Sequence, residues 1–166
     1  MILPIVAFGD SVLKAEAAEI VKPHEGLAAL IENMWETMYD ADGERGDASC
    51  VDFKRVMINP VIFEESEELC DMEEGCLSIP GIREGVERPV SIGVEYYDAN
   101  WELKEETLTG LAARIVQHEN DHLDGMLITD HIPPMRRRLL HGKLRDIGKG
   151  KVPVSYRMRF PQQRGR

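Results

Sequence analysis

Residues 114–125 read RIVQHENDHLDG, with two histidines one helical turn apart and a glutamate directly after the first. On a helix, Leu111, Ile115, His118 and His122 share one continuous face, because residues four and seven apart stack on the same side. That face is apolar where it begins, so it is expected to point inward. Two imidazoles then occupy positions where large apolar side chains would ordinarily sit. His118 to His122 spell H-E-x-x-H, a spacing that lets both rings bind one ion while Glu119 stands beside it to take a proton from bound water. The same five residues also arise by chance in helices. Two buried histidines satisfied by hydrogen bonds is therefore the competing reading. Asp121 and Asp124 flank the pair, either to orient imidazole N–H groups or as charges at the helix end; for Asp124 we adopt the second.

A catalytic metal site requires a third protein ligand. His131 and His141 lie downstream, but Ile128 stands where H-E-x-x-H-x-x-G-x-x-H would place its last histidine. Upstream is EEGCLSIPG, residues 73–81, in which Cys76 follows a glycine. Any one cysteine is by default a small buried hydrophobe. We keep that reading for Cys50 and Cys70, which sit among acidic residues. Three cysteines are too few for a disulfide framework and fit a reducing cytosol.

The remaining sequence sets the frame. With 166 residues, 43% hydrophobic and 30% charged, the chain is expected to form one folded domain over residues 1–150. No apolar run is long enough to cross a membrane. MILPIVAFGD at the start lacks a basic region and reads as a strand or extended arm, so the expected location is cytoplasmic. The net charge of −10 conceals an acidic body and a basic end. Residues 1–130 carry 9 Lys+Arg against 29 Asp+Glu, whereas residues 131–166 carry 11 Lys+Arg and only Asp146. Such an end can seek phosphate, or simply balance the body.

Between residues 25 and 40, Leu27, Leu30, Ile31, Met34 and Met38 form the stripe of an amphipathic helix. A polar, glycine-containing loop follows. FKRVMINPVIFEE reads as a strand that Pro60 interrupts or confines to an edge, and residues 75–110 read as a meander of short strands. Residues 135–147 can form an arginine-rich helix, and residues 151–166 are expected to be a basic, flexible tail. Strands grouped between helices predict an α+β fold, with antiparallel sheets around the histidine helix.

Taken together, Glu74-Gly75-Cys76-Leu77-Ser78 and Gln117-His118-Glu119-Asn120-Asp121-His122-Leu123-Asp124-Gly125 resemble peptide deformylases. Gly9–Lys14, Asn33–Tyr39 and Arg55–Pro60 extend the resemblance over most of residues 1–150. It implies a divalent metal held by Cys76, His118 and His122, with Fe(II) the usual ion and Zn, Ni or Co the alternatives. It also implies hydrolysis of the N-formyl group from the first methionine of nascent chains, with Glu119 as general acid and base. The Leu77 N–H would face the oxyanion. Gly43, Glu74, Gly75, Leu111, Arg114 and Ile115 would contact substrate, although ordinary core packing is an equal reading for the last three. The basic stretch 135–145 becomes a candidate contact with ribosomal RNA. A zinc peptidase resting on H-E-x-x-H alone is the competing enzyme class, and the cysteine motif counts against it.

One departure matters. The family carries G-x-G-x-A-A-x-Q after its first helix, and its glutamine donates to the oxyanion. Here Tyr39-Asp40-Ala41-Asp42-Gly43 is followed by Glu44-Arg45-Gly46-Asp47-Ala48-Ser49-Cys50, without Ala-Ala or glutamine. The apolar strand that should follow is missing as well. The alternative function is therefore a deformylase-like metal binder with weak or no activity.

Overall fold

Two antiparallel sheets clasp a single helix. The computed structural model describes residues 1–42 and 53–161. In chain order these residues form β1 (Ile5–Val6), a short 3-10 turn at Ser11–Lys14, α1 (Leu27–Asp42), β2 (Ile58–Glu65), β3 (Leu69–Gly75), β4 (Arg83–Pro89), β5 (Ser91–Tyr97), β6 (Leu103–Thr109), α2 (Gly110–Leu123), α3 (Ile128–His131), α4 (Pro134–Gly148) and β7 (Met158–Arg159). Strands β2, β5 and β6 make one antiparallel sheet in that order, and β3 pairs with β4 in a second. The α+β reading holds, with one parallel pair, β1 beside β7.

Pro60 lies within β2, which is an edge strand, and the register shifts between Ile58 and Val61. A residue without an N–H is tolerated at such a place. Asn59 beside it has φ 49° and exchanges two hydrogen bonds with the Ile20 backbone, at 2.9 and 3.0 Å, tying the loop before α1 to the sheet.

Helix α2 separates two apolar clusters. On one side Ala113 and Val116 pack with Ile92, Val94, Tyr96 and Leu108. The other cluster joins Ile79, Ile82 and Val86 to Leu127, Ile128 and Ile132 and to Leu140, Leu144 and Ile147 of α4. The helix ends at a glycine with φ 69°, Gly125, whose N–H reaches His122 O while Met126 N–H reaches Asp121 O. That is a left-handed glycine cap, and a Cβ on Gly125 would come within 2.8 Å of the Lys14 backbone. The last turn of the histidine helix is thus fixed by both dihedral and contact.

Two expectations need revision. The apolar stripe of α1 is not turned into a core: Leu30, Met34 and Met38 are exposed, and Leu27 and Ile31 are only half-buried. Polar ties hold the helix instead. The Met1 amino group binds Asn33 and Glu36, and Leu3 N–H reaches Thr37 Oγ1 at 2.8 Å. The basic end lies along the body as far as Pro161, because Ile5 N–H donates to Arg157 O and Ala7 N–H to Arg159 O. Backbone pairing supplies the order that its charge gave no reason to expect. Residues 43–52, including Gly43 and Cys50, and residues 162–166 lie outside the described part.

Candidate metal centre

The turn after β3 and the second half of α2 bring three candidate ligands, one thiol and two imidazoles, to one point. The donor atoms of Cys76, His118 and His122 all lie within 4.8 Å of one another. Cys76 Sγ is 3.5 Å from His122 Nε2, and the two imidazole rings stand edge to face with centroids 5.0 Å apart. The turn carrying Cys76 is closed by Ile79 N–H to Cys76 O at 2.9 Å, and Tyr156 Oη donates to Leu77 O at 2.8 Å. The C-terminal segment therefore braces the turn in which Leu77 sits.

Glu74 sets the orientation of His118. Its Oε2 is 2.9 Å from His118 Nδ1, while Arg88 binds both of its oxygens at 2.6 and 3.0 Å and Arg114 binds Oε1 at 2.6 Å. Burial pushes Glu74 up, but hydrogen bonds from His118, Arg88 and Arg114, with the Arg88 charge, hold it far below the ordinary carboxylate range. An ionised carboxylate only accepts, so the proton of this contact belongs to Nδ1, leaving His118 Nε2 for a cation.

The thiol and the two imidazoles shift in opposite directions. Burial pushes the Cys76 thiol up, yet the two imidazoles outweigh it and bring the thiol to about 6. Burial lowers His118, yet Cys76 and Glu74, with Glu119 adding its charge, lift it to about 10. His122 is opposed by burial in the same way and raised by Cys76 and Glu119. Thiolate and imidazolium thus hold one another charged, and a divalent cation bound there would take the place of the imidazole protons. Among the described residues, His122 Nδ1 is buried without a hydrogen-bond partner. One thiolate and two imidazoles suit Fe, Zn, Ni or Co alike.

The remaining candidates divide. Glu119 is exposed on α2, and its charge reaches both rings. Leu111 and Ile115 are half-buried on the same helical face as the histidines. The family resemblance places Glu74 against substrate, but its carboxylate is turned inward and engaged by Arg88, Arg114 and His118. The Arg114 head is likewise buried, bound to Glu74, to Val86 O at 2.9 Å and to Cys70 O at 2.5 Å. Gly75 ends β3 opposite Arg83, whose guanidinium a Cβ there would meet at 3.2 Å. Asp121 contacts neither ring directly; it binds Arg88 at 2.9 Å and His131 at 2.7 Å.

Arg88 is the residue the sequence reading missed. Its signal was present in β4, where the alternation of Glu84, Val86 and Arg88 puts two charges on a buried face. A groove of about 800 Å³ opens on the opposite side of α2, lined by Asn59, Arg88, Gln117, Asn120, Asp121 and His131 among others. None of the three candidate ligands lines it, so it is not the centre described here.

A family model described as polypeptide deformylase matches residues 42–138. A peptide deformylase of Christiangramia forsetii is 44% identical over 190 positions, covering 97% of this chain and 97% of the relative. Since 97% of 166 residues is about 161, roughly 30 of those positions face no residue here. A peptide deformylase of Cytophaga hutchinsonii is 40% identical, covering 97% and 98%. Among solved structures, one from Legionella pneumophila superposes with a TM-score of 0.80 at 30% identity, covering 92% of this chain and 100% of that one. A class I type b enzyme from Acinetobacter baumannii with Met-Ala-Ser bound gives 0.73 at 34% identity, covering 80% and 99%.

Proposed function

The chain belongs to the peptide deformylase family, and we propose that Cys76, His118 and His122 hold the divalent metal of its N-formyl hydrolysis. The observation that carries this assignment is the convergence of one thiol and two imidazoles within 4.8 Å. The reaction breaks the C–N bond between the formyl group and the first methionine of a nascent chain, giving formate and a free amine. When bound, the ion polarises a carbonyl and makes water acidic near neutral pH.

Glu119 accepts the proton of the attacking water and returns it to the leaving amine. Its exposed position beside both rings supports this role. The Leu77 N–H faces the developing oxyanion, on a turn that Tyr156 steadies. Leu111 and Ile115 flank the methionine side chain, and Gly43 and Gly75 meet the peptide. Arg114 and Glu74 act from beneath, on His118 instead of on substrate. Fe(II) is the proposed ion. The Met-Ala-Ser bound by the Acinetobacter relative is the kind of product end this site would release.

One observation favours a second reading, a metal binder of low activity. No glutamine lies between Gly43 and Lys54, and the alignment with the Christiangramia relative leaves roughly 30 of its positions without a residue here. Loss of one oxyanion donor costs about 10²–10³ in turnover. Metal analysis tests the site under both readings: wild type should hold about one ion per chain and Cys76→Ala little. Unchanged metal in Cys76→Ala would sink the ligand assignment.

We also propose a cytoplasmic location and a ribosomal contact through residues 135–145. No helix among the described residues is long and apolar enough to cross a membrane. In α4, Leu140, Leu144 and Ile147 face the core, and Met135 and Leu139 are exposed among the basic residues. Cosedimentation with ribosomes unaffected by reversing Arg138, Lys143 and Arg145 to glutamate would contradict the contact.

A further inference from the structure

The Glu74 carboxylate that holds His118 is itself the end of a longer chain of contacts. Arg88 NH2 bridges Glu74 and Asp121, at 3.0 and 2.9 Å. Asp121 Oδ2 also accepts from His131 Nε2 at 2.7 Å. The path crosses four elements, from α3 to α2 to β4 to β3 and back to α2 at His118. Burial falls outward along it: the side chains of Glu74 and Arg88 are 6% and 5% exposed, Asp121 16% and His131 23%. Arg88 is thus pinned from within by a carboxylate with three donors, and from without by one that His131 must hold in place.

We propose that His131 and Asp121 are positioning residues for the metal centre. They act through Arg88 to lock Glu74 against His118 Nδ1. Three features argue for a positioning role beyond surface pairing. Asp121 directly precedes His122 on the helix, so the outer anchor of Arg88 sits in the same turn as a candidate ligand. Arg88 is buried, and its NH2 group has both of its carboxylate contacts in this path. Asp121 and His131 both line the groove behind α2, so without His131 water competes with Arg88 for the Asp121 carboxylate. Partners beyond the ligands themselves typically set metal affinity by about 10–100-fold. Four contacts separate His131 from His118, so the lower end of that range is expected.

The inference rests on the ligand assignment given above, and the test separates the two. Zinc-loaded protein is mixed with excess chelator and the release of metal is timed. His131→Ala should release zinc about tenfold faster than wild type. His131→Gln, which keeps an N–H donor for Asp121, should recover most of the difference. Lys14→Ala is the control: it removes the 2.5 Å Lys14–Asp130 contact on the same short helix without touching Asp121. Release from Lys14→Ala should match wild type. Wild-type release from His131→Ala, or equal acceleration in Lys14→Ala, overturns the positioning role while leaving the ligands intact. A wild type that binds no zinc overturns the ligand assignment itself.

Discussion

Glu74 Oε2 lies 2.9 Å from His118 Nδ1, and this contact decides which ring nitrogen a metal can use. The carboxylate is buried under two guanidinium groups, so its charge is balanced without solvent. Glu74→Gln keeps the shape and removes the charge. Arg88 would retain Asp121, and Arg114 would retain two carbonyls, so the fold should survive at a cost of about 3 kcal/mol. Metal affinity should fall by about 10–100-fold. Urea unfolding and competitive chelation measure the two effects. Full affinity in Glu74→Gln would mean that the ring is oriented by packing alone.

Tyr96 gives a pH test far from the centre. It is buried in β5, and its hydroxyl donates to Glu106. Burial, then the Glu106 hydrogen bond and charge, push it up to about 12. The folded value lies above the unfolded one near 10. The neutral hydroxyl therefore contributes its full stability below pH 10 and loses it as pH rises towards 12. Wild type should lose about 2–3 kcal/mol across that window, and Tyr96→Phe should lose much less. Urea midpoints between pH 8 and 12 check this. Parallel pH curves for the two proteins would contradict it.

Gly125→Ala probes the end of the histidine helix. An alanine there must adopt φ near 69° and press its Cβ to 2.8 Å from the Lys14 backbone. Strain in this region costs about 1–3 kcal/mol before the clash is counted. The melting temperature should drop by several degrees, and metal should leave faster because His122 lies in the last turn. Thermal unfolding of the zinc-loaded protein, with and without chelator, reads both.

Much of the centre was legible because its chemistry is written in short, local spacing. His118 and His122 are one turn apart, and Glu119 is adjacent to the first. Cys76 required the motif around it, since a thiol 42 residues upstream has no spacing rule of its own. The edge position of Pro60 was readable for the same local reason. Arg88 and His131 were not, because their partners lie on other strands and helices and only packing brings them together. Arg88 left a trace as a charge on a buried strand face. His131 left none beyond being a histidine that fitted no ligand pattern. The exposed stripe of α1 is the opposite case: Leu30, Met34 and Met38 are placed as a core face, but no packed partner covers them among the described residues. Periodicity reports what a helix can bury, and the neighbours decide whether it does.

The central claim is that this shortened chain still hydrolyses an N-formyl group at the Cys76–His118–His122 centre. Formate release from formyl-Met-Ala-Ser by anaerobically prepared Fe(II)-loaded protein tests it most directly, beside Glu119→Gln at equal metal content. Glu119 is exposed, so its substitution should leave the fold intact. The account predicts metal-dependent release by wild type and a loss of about 10²–10⁴-fold in Glu119→Gln. Stoichiometric metal with no formate above the Glu119→Gln background would contradict it and leave the metal-binder reading in its place.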